Sequence, residues 1–272
     1  MQKCVDKGVC GCYTVPNPKR NKEDTTMKKI LAMVLALAML LSVAAASAEL
    51  TTLEAGKFVY ATSPDFPPFE STDDEGTVIG IEPDILAIIC ENLGLTAEPY
   101  AIDFDSALVA PGAGKADAVV SGVTVKEERK ATLEFTIPYV TIVQGVVFKS
   151  GADITMDNLG DKIIGVQSGT TGQIEATDHF GEDHVSAYDK YSLAFQALQN
   201  GQVDCIMVDD MVGKAYVKQI PGLDMISTGY TPEDFAFGFA KGNSELVEAF
   251  NTELQALIDD GTIEQIILKW NE

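Results

Sequence analysis

From residue 49 onward the chain keeps one rhythm: short runs rich in β-branched and aromatic residues alternate with amphipathic stretches of helical period, without repeats or low-complexity linkers. That alternation restricts the fold most, because strand, helix and strand in succession pack as an α/β layer in which helices cover a largely parallel sheet. Candidate strands are Phe58–Ala61, Ala97–Ile102, Ala118–Val120, Gly145–Phe148, Ile163–Val166 and Cys205–Val208. Candidate helices are Pro83–Leu93 before Gly94, Leu193–Leu198 before Asn200-Gly201, and Ser244–Ile258 before Gly261. Residues 49–272 suffice for one large domain or two small ones.

Ahead of this pattern stand Met27-Lys28-Lys29, an apolar run over residues 30–41 and small residues ending in Ala46-Ser47-Ala48. A basic start, an apolar core and an A-x-A site predict a secretory signal peptide over residues 27–48, cleaved after Ala48. The apolar core is shorter than the ~20 residues a spanning helix needs. Residues 1–26 carry Cys4, Cys10 and Cys12 without a fourth metal ligand, and read as a segment upstream of the true start. No cysteine stands at the cleavage site, so the expected product is a free protein secreted across the inner membrane, periplasmic or extracellular. Cys90 and Cys205, both in apolar segments, are expected to be separately buried thiols rather than a disulfide.

After residue 48 the chain holds 12 Lys and Arg against 38 Asp and Glu. So acidic a surface repels nucleic acid and anionic lipid, which excludes a nucleic-acid role. Arg129 is the single arginine in that stretch. Its planar fork of donors matches a carboxylate bidentately, which lysine cannot do. It follows Ser121-Gly122-Val123-Thr124, where Thr124 and Glu127 are spaced as a capping box, so a helix is expected to start at Thr124 and place Arg129 near an anion-binding N-terminus. A second construction of this kind is Gln167-Ser168-Gly169-Thr170-Thr171-Gly172-Gln173, in which Thr170 and Gln173 form the cap-like pair. Asp209, at the end of an apolar strand, is the candidate for a cation; either it or Asp210 also suits a helix N-cap. Phe66 and Phe104 stand on loops where aromatic rings can flank the apolar part of a ligand. His179 and His184 lie in a polar stretch read as a solvated turn, and neither a G-x-S-x-G motif nor paired metal-ligand spacing occurs. Binding without catalysis, metal or cofactor is the expectation.

Seven segments in order carry a family resemblance: Pro-Pro-Phe-Glu at 67–70, Gly80-Ile81-Glu82-Pro83-Asp84-Ile85-Leu86, Ser121 to Arg129, Phe135 to Tyr139, Val166 to Thr171, Val203 to Asp209, and Gly261 to Trp270. In this the chain resembles the extracellular solute-binding proteins, family 3, that serve polar-amino-acid ABC transporters. The resemblance implies the two-lobed, type II periplasmic-binding fold. Its expected layout is a first lobe from residues 49–138 plus 238–272, a second from 143–231, and hinge crossovers at 139–142 and 232–237. By the same resemblance Arg129 would hold a ligand α-carboxylate with Ser121, Gly122, Thr124, Thr170 and Thr171. Asp209 would take the α-ammonium, and Phe66, Phe104, Ser63 and Gln167 would surround the side chain. Ser63, Gln167 and Val208 stand where a spare acid would serve a basic side chain, so a neutral amino acid is favoured, with Asp65, Glu70 and Glu82 as nearby acids. The implied partner is a membrane-embedded permease, and a monomer is expected. Some proteins of similar sequence are exported cyclohexadienyl dehydratases, an alternative that would need an acid over the substrate, supplied by Asp209 or Glu82.

Overall fold

The computed structural model describes residues 50–271. The upstream segment, the signal peptide and its cleavage site all lie outside the described residues.

Two five-stranded sheets organise the chain. The first is built from β1 (Lys57–Thr62), β5 (Thr96–Ala101), β6 (Ala118–Val119), β7 (Leu133–Phe135) and β15 (Gly238–Ala240), in the order β5-β1-β6-β15-β7. The second is built from β9 (Gln144–Lys149), β10 (Ile164–Gln167), β11 (Val185–Tyr188), β12 (Cys205–Asp209) and β13 (Leu223–Ser227), in the order β11-β10-β12-β9-β13. A small three-stranded sheet of β2 (Asp65–Phe66), β3 (Glu70–Thr72) and β4 (Val78–Ile79) follows β1.

The expectation of largely parallel sheets needs correction. β1 pairs parallel with β5 and β6, and β10 with β11 and β12, but β15 runs antiparallel to β6 and β7, and β9 antiparallel to β12 and β13. The antiparallel strands are those bordering the passages between sheets, where the chain arrives from the opposite direction and no helical crossover is available to restore it. Those passages are β8 (Val140–Ile142), between β7 and β9, and β14 (Glu233–Phe235), between β13 and β15. They pair with each other in an antiparallel ladder, Val140 opposite Phe235 and Ile142 opposite Glu233.

Eight helices among the described residues cover the sheets: α1 (Ile81–Leu93), α2 (Phe104–Val109), α3 (Glu127–Lys130), α4 (Thr171–Phe180), α5 (Tyr191–Asn200), α6 (Asp210–Gln219), α7 (Ser244–Asp259) and α8 (Thr262–Asn271). In α1 the residues at helical spacing, Ile81, Ile85, Leu86, Ile89 and Cys90, are the buried ones. The helix stops at Gly94, whose left-handed backbone (φ 69°) lets its N–H close on Cys90 and Glu91 carbonyls. Phe58 of β1 packs 4.5 Å, centroid to centroid, from Phe250 of α7, and Phe239 of β15 lies 5.1 Å from the same ring. Burying a ring of this kind contributes roughly 1.5–3 kcal/mol. This aromatic cluster therefore ties the C-terminal α7 and β15 to the N-terminal β1. Cys90 and Cys205 are free, buried and in different core clusters. The segment read as a solvated turn around His179 is instead the end of α4, with the His179 ring stacked 4.5 Å from that of Tyr230.

Candidate ligand-binding site

One pocket, partly open to solvent, is lined by Ser63, Phe66, Phe104, Ser121, Gly122, Thr124, Arg129, Gln167, Thr170, Thr171 and Asp209, with Glu70 completing its wall. All eleven residues singled out from the sequence thus meet at one place. They sit at strand ends of both sheets, where α/β folds gather ligands.

From the first sheet, β6 runs into Ser121-Gly122. Gly122 has φ 54°, and a Cβ there would stand 2.5 Å from the Phe66 ring. Only glycine lets the backbone pass this close to the aromatic wall. The Gly122 N–H donates to Glu82 Oε1 at 3.0 Å, and Ser121 Oγ donates to Glu70 Oε1 at 2.7 Å while accepting from the Ser63 N–H at 2.9 Å. The Ser121 hydroxyl proton is therefore committed to a neighbouring acid.

The capping-box reading of Thr124 is wrong. The helix starts at Glu127 with Lys126 at the N-cap, makes no side-chain cap hydrogen bond and is only four residues long. Thr124 forms a β-bridge with Phe235 instead, and its Oγ1 donates to Glu233 at 2.8 Å. A partner more than a hundred residues away outcompetes the local cap. Arg129 consequently acts through its own donors rather than through a helix dipole: Nη1 donates to Thr124 O and Nη2 to Gly169 O, each at 3.0 Å. The guanidinium lies 5.6 Å from the centroid of the Phe104 ring, within cation–π range. Burial lowers its pKa, while the nearby Glu233 and Asp209 oppose that shift.

From the second sheet, β10 leads through Gly169 into α4. Here the sequence reading holds: Thr170 is the N-cap, its Oγ1 accepts from the Gln173 N–H at 3.2 Å, and Gln173 Oε1 accepts from the Gly169 N–H at 2.8 Å. The cap satisfies two amides and leaves the helix's first turn directed at the cavity. Gly169 (φ 80°) faces the first lobe so closely that a Cβ would come within 3.2 Å of Asp105 Cβ.

Asp209 closes β12 at the N-cap position of α6 but caps nothing with its side chain. Its Oδ1 accepts from Gln144 Nε2 at 2.7 Å, and the same amide donates to Thr171 Oγ1 at 3.2 Å. Gln144, fully buried at the head of β9, is a supporting residue that sequence reasoning missed; a glutamine opening an otherwise apolar strand was the available signal. Burial pushes the Asp209 carboxyl well above the usual carboxylate range, Glu233 pushes it further, and Arg129 pulls it back. A cation placed beside it would restore its charge.

The two sides touch over the cavity. Gln167 Nε2 lies 3.4 Å from Ser63 Oγ, Ser192 N–H donates to Asp65 Oδ2 at 3.2 Å, and Tyr216 Oη donates to Asp65 O at 2.9 Å. The Phe66 ring stacks on Tyr191, centroids 5.6 Å apart.

Two sheets joined by a paired double passage, with a cavity held between them, define a two-lobed small-molecule-binding protein. The pattern of bacterial extracellular solute-binding proteins, family 3, matches residues 58–272, and the chain belongs to that family. The ABC transporter arginine-binding protein 1 of Escherichia coli (strain K12) is 31% identical over 79% of this chain and 91% of its own length. The L-cystine-binding protein TcyJ of the same strain is 27% identical over 80% of this chain and 83% of its own. Among solved structures, an ancestral arginine-binding protein bound to glutamine superposes with a TM-score of 0.76 at 35% identity, covering 80% of this chain and 98% of that one. These relatives are solute-binding proteins rather than enzymes, so the dehydratase alternative is not favoured. Of the two acids it would draft, Asp209 lines the cavity and Glu82 does not. Among the described residues no helix is long and apolar enough to cross a membrane.

Proposed function

We propose that this protein captures a free amino acid between its lobes outside the cytoplasm, and that closure around the ligand presents it to the permease of an ABC transporter. One observation carries the reading: the cavity holds a guanidinium from one lobe and a carboxylate from the other, Arg129 and Asp209. That pairing complements a zwitterion, with Arg129, Thr170, Thr171 and the first turn of α4 taking the carboxylate and Asp209 the ammonium. Phe66, Phe104, Ser63 and Gln167 surround the side chain. These four are uncharged, which favours a neutral side chain. The protein acts as a monomer whose β8–β14 ladder serves as the hinge, since ligand groups are divided between lobes and only the closed form satisfies them all.

A thermal-shift screen over the common amino acids, on protein stripped of ligand by unfolding and refolding, tests this. A ligand at a hundred times its Kd adds about 2.7 kcal/mol to the stability of the native state. At least one neutral amino acid should raise the melting temperature by several degrees, and no response to any of them would remove the amino-acid reading.

A further inference from the structure

Beneath the cavity two acids face each other. Glu70, on β3, and Glu82, in the first turn of α1, are each 1% exposed and within hydrogen-bond reach of one another. One oxygen of each is accounted for: Glu70 Oε1 accepts from Ser121, and Glu82 Oε1 accepts from the Gly122 N–H at 3.0 Å and from Tyr139 Oη at 2.5 Å. The second oxygen of each, Oε2, is buried and has no donor. Two adjacent buried carboxylates, each with an oxygen that no donor reaches, cannot both stay charged, because the bare oxygens cost desolvation and the like charges repel. One proton shared by the pair supplies the missing donor and removes the repulsion. The other groups acting on the pair are Asp65, Tyr60 and Tyr139, acids and phenols without a cation among them. Arg129 lines the same cavity but is bonded to the Thr124 and Gly169 carbonyls.

We infer that Glu70 and Glu82 share a single proton in the ligand-free protein at neutral pH, and that this proton makes Glu70 a charge-switchable specificity residue for the ligand side chain. Glu82, with two donors besides Glu70, is the carboxylate; Glu70, the member that lines the cavity, is the acid. Burial and the neighbouring Glu82 both raise the Glu70 pKa, which is the direction this assignment requires. While the proton is held, the cavity wall is neutral and suits an uncharged side chain. When it leaves, the wall gains a negative charge that favours a cationic one. The consequence for ligand preference rests on the amino-acid reading above; the shared proton does not.

Two measurements separate the two. Infrared spectroscopy of the ligand-free protein at neutral pH should show a protonated carboxylic acid band that disappears in Glu70→Gln; a spectrum without such a band, or one that Glu70→Gln leaves intact, overturns the inference whatever the ligand is. Calorimetric titration with L-arginine and L-glutamine then reads the preference. The arginine-to-glutamine affinity ratio should rise with pH, by up to about tenfold per pH unit while the proton leaves. It should be flat in Glu70→Gln, and higher at neutral pH in Glu82→Gln, where Glu70 no longer ionises beside a second carboxylate. A pH dependence of the ratio that persists in Glu70→Gln overturns the specificity role. If neither amino acid binds, the specificity role falls with the amino-acid reading, and the infrared result still decides the shared proton.

Discussion

Arg129 spends two of its five donors on main-chain carbonyls, one in each lobe, and keeps the remainder for the cavity. On the proposed reading, truncation removes the ligand carboxylate's partner and a contact between lobes together. Arg129→Ala is therefore expected to weaken binding by about 2–5 kcal/mol, the usual cost of leaving a buried charge unpaired. Arg129→Lys should recover only part of this, because an ammonium cannot serve Thr124 O, Gly169 O and a carboxylate in one plane; calorimetry on the two variants reads both effects, and equal affinities for lysine and arginine at this position would sink the bidentate assignment. Gly122 gives a second prediction. Its positive φ and the 2.5 Å approach of Phe66 to any Cβ mean that Gly122→Ala must displace the ring that forms one cavity wall. The variant should lose ligand affinity by more than it loses stability, as binding and urea melts compared side by side would reveal. Asp209, Thr170 and Gly122 were legible because each stands within a few residues of the end of a strand visible in the sequence, and Arg129 because it is the single arginine after residue 48. Gln144 and Tyr139 were placed in no site role, and Glu82 only as a nearby acid, because their contacts come from distant segments: Gln144 meets Asp209 across 65 positions and Tyr139 meets Glu82 across 57.

Among the elements, α4 and α3 show what a local motif can and cannot decide. Both follow a strand, and both carry a threonine three residues before a capping glutamine or glutamate. At Thr170 the motif has no rival and forms; at Thr124 the bridge to Phe235 takes the residue instead. Thr170→Ala is accordingly expected to cost about 1 kcal/mol of stability in urea unfolding, the typical worth of an N-cap. It should also reduce ligand affinity, because the cap sets the first turn that faces the cavity. Thr124→Ala should leave helix α3 unchanged by circular dichroism and act instead through Glu233, which loses its 2.8 Å donor. Of the strands that sequence reading did not anticipate, β2, β3, β4, β7, β8, β14 and β15 are two or three residues each, too short for alternation to register, while β11 and β13 are four and five residues long. β7, β8, β14 and β15 exist because partners elsewhere hold them.

At the scale of the whole molecule, charge dominates. Burial raises the pKa of Asp65, Glu70, Glu82, Asp117 and Asp209 in the folded state. A folded chain that holds more protons than the unfolded one gains stability from them at low pH and loses it as pH rises from the unfolded carboxylate range toward the folded values. The excess of acidic over basic residues adds self-repulsion of the same sign. The ligand-free protein should thus melt at a higher temperature near pH 5 than near pH 8, and added salt should narrow the gap by screening the surface part. A melting temperature that climbs steadily from pH 5 to pH 8 would show that these acids are ionised in the folded protein. A ligand ammonium beside Asp209 should flatten the profile by stabilising its charged form.

The order of strands in the first sheet also bears on how the chain can be made. β15 lies between β6 and β7, yet it follows them by more than a hundred residues. During synthesis from the N-terminus, β6 and β7 emerge early with nothing between them, and wait until the whole second sheet has left the ribosome. The second sheet is contiguous in sequence, so it has every strand it needs before the first sheet does. A nascent chain of this layout stays incomplete until nearly its last residues appear, which lengthens the interval in which an export machinery can take hold of it unfolded.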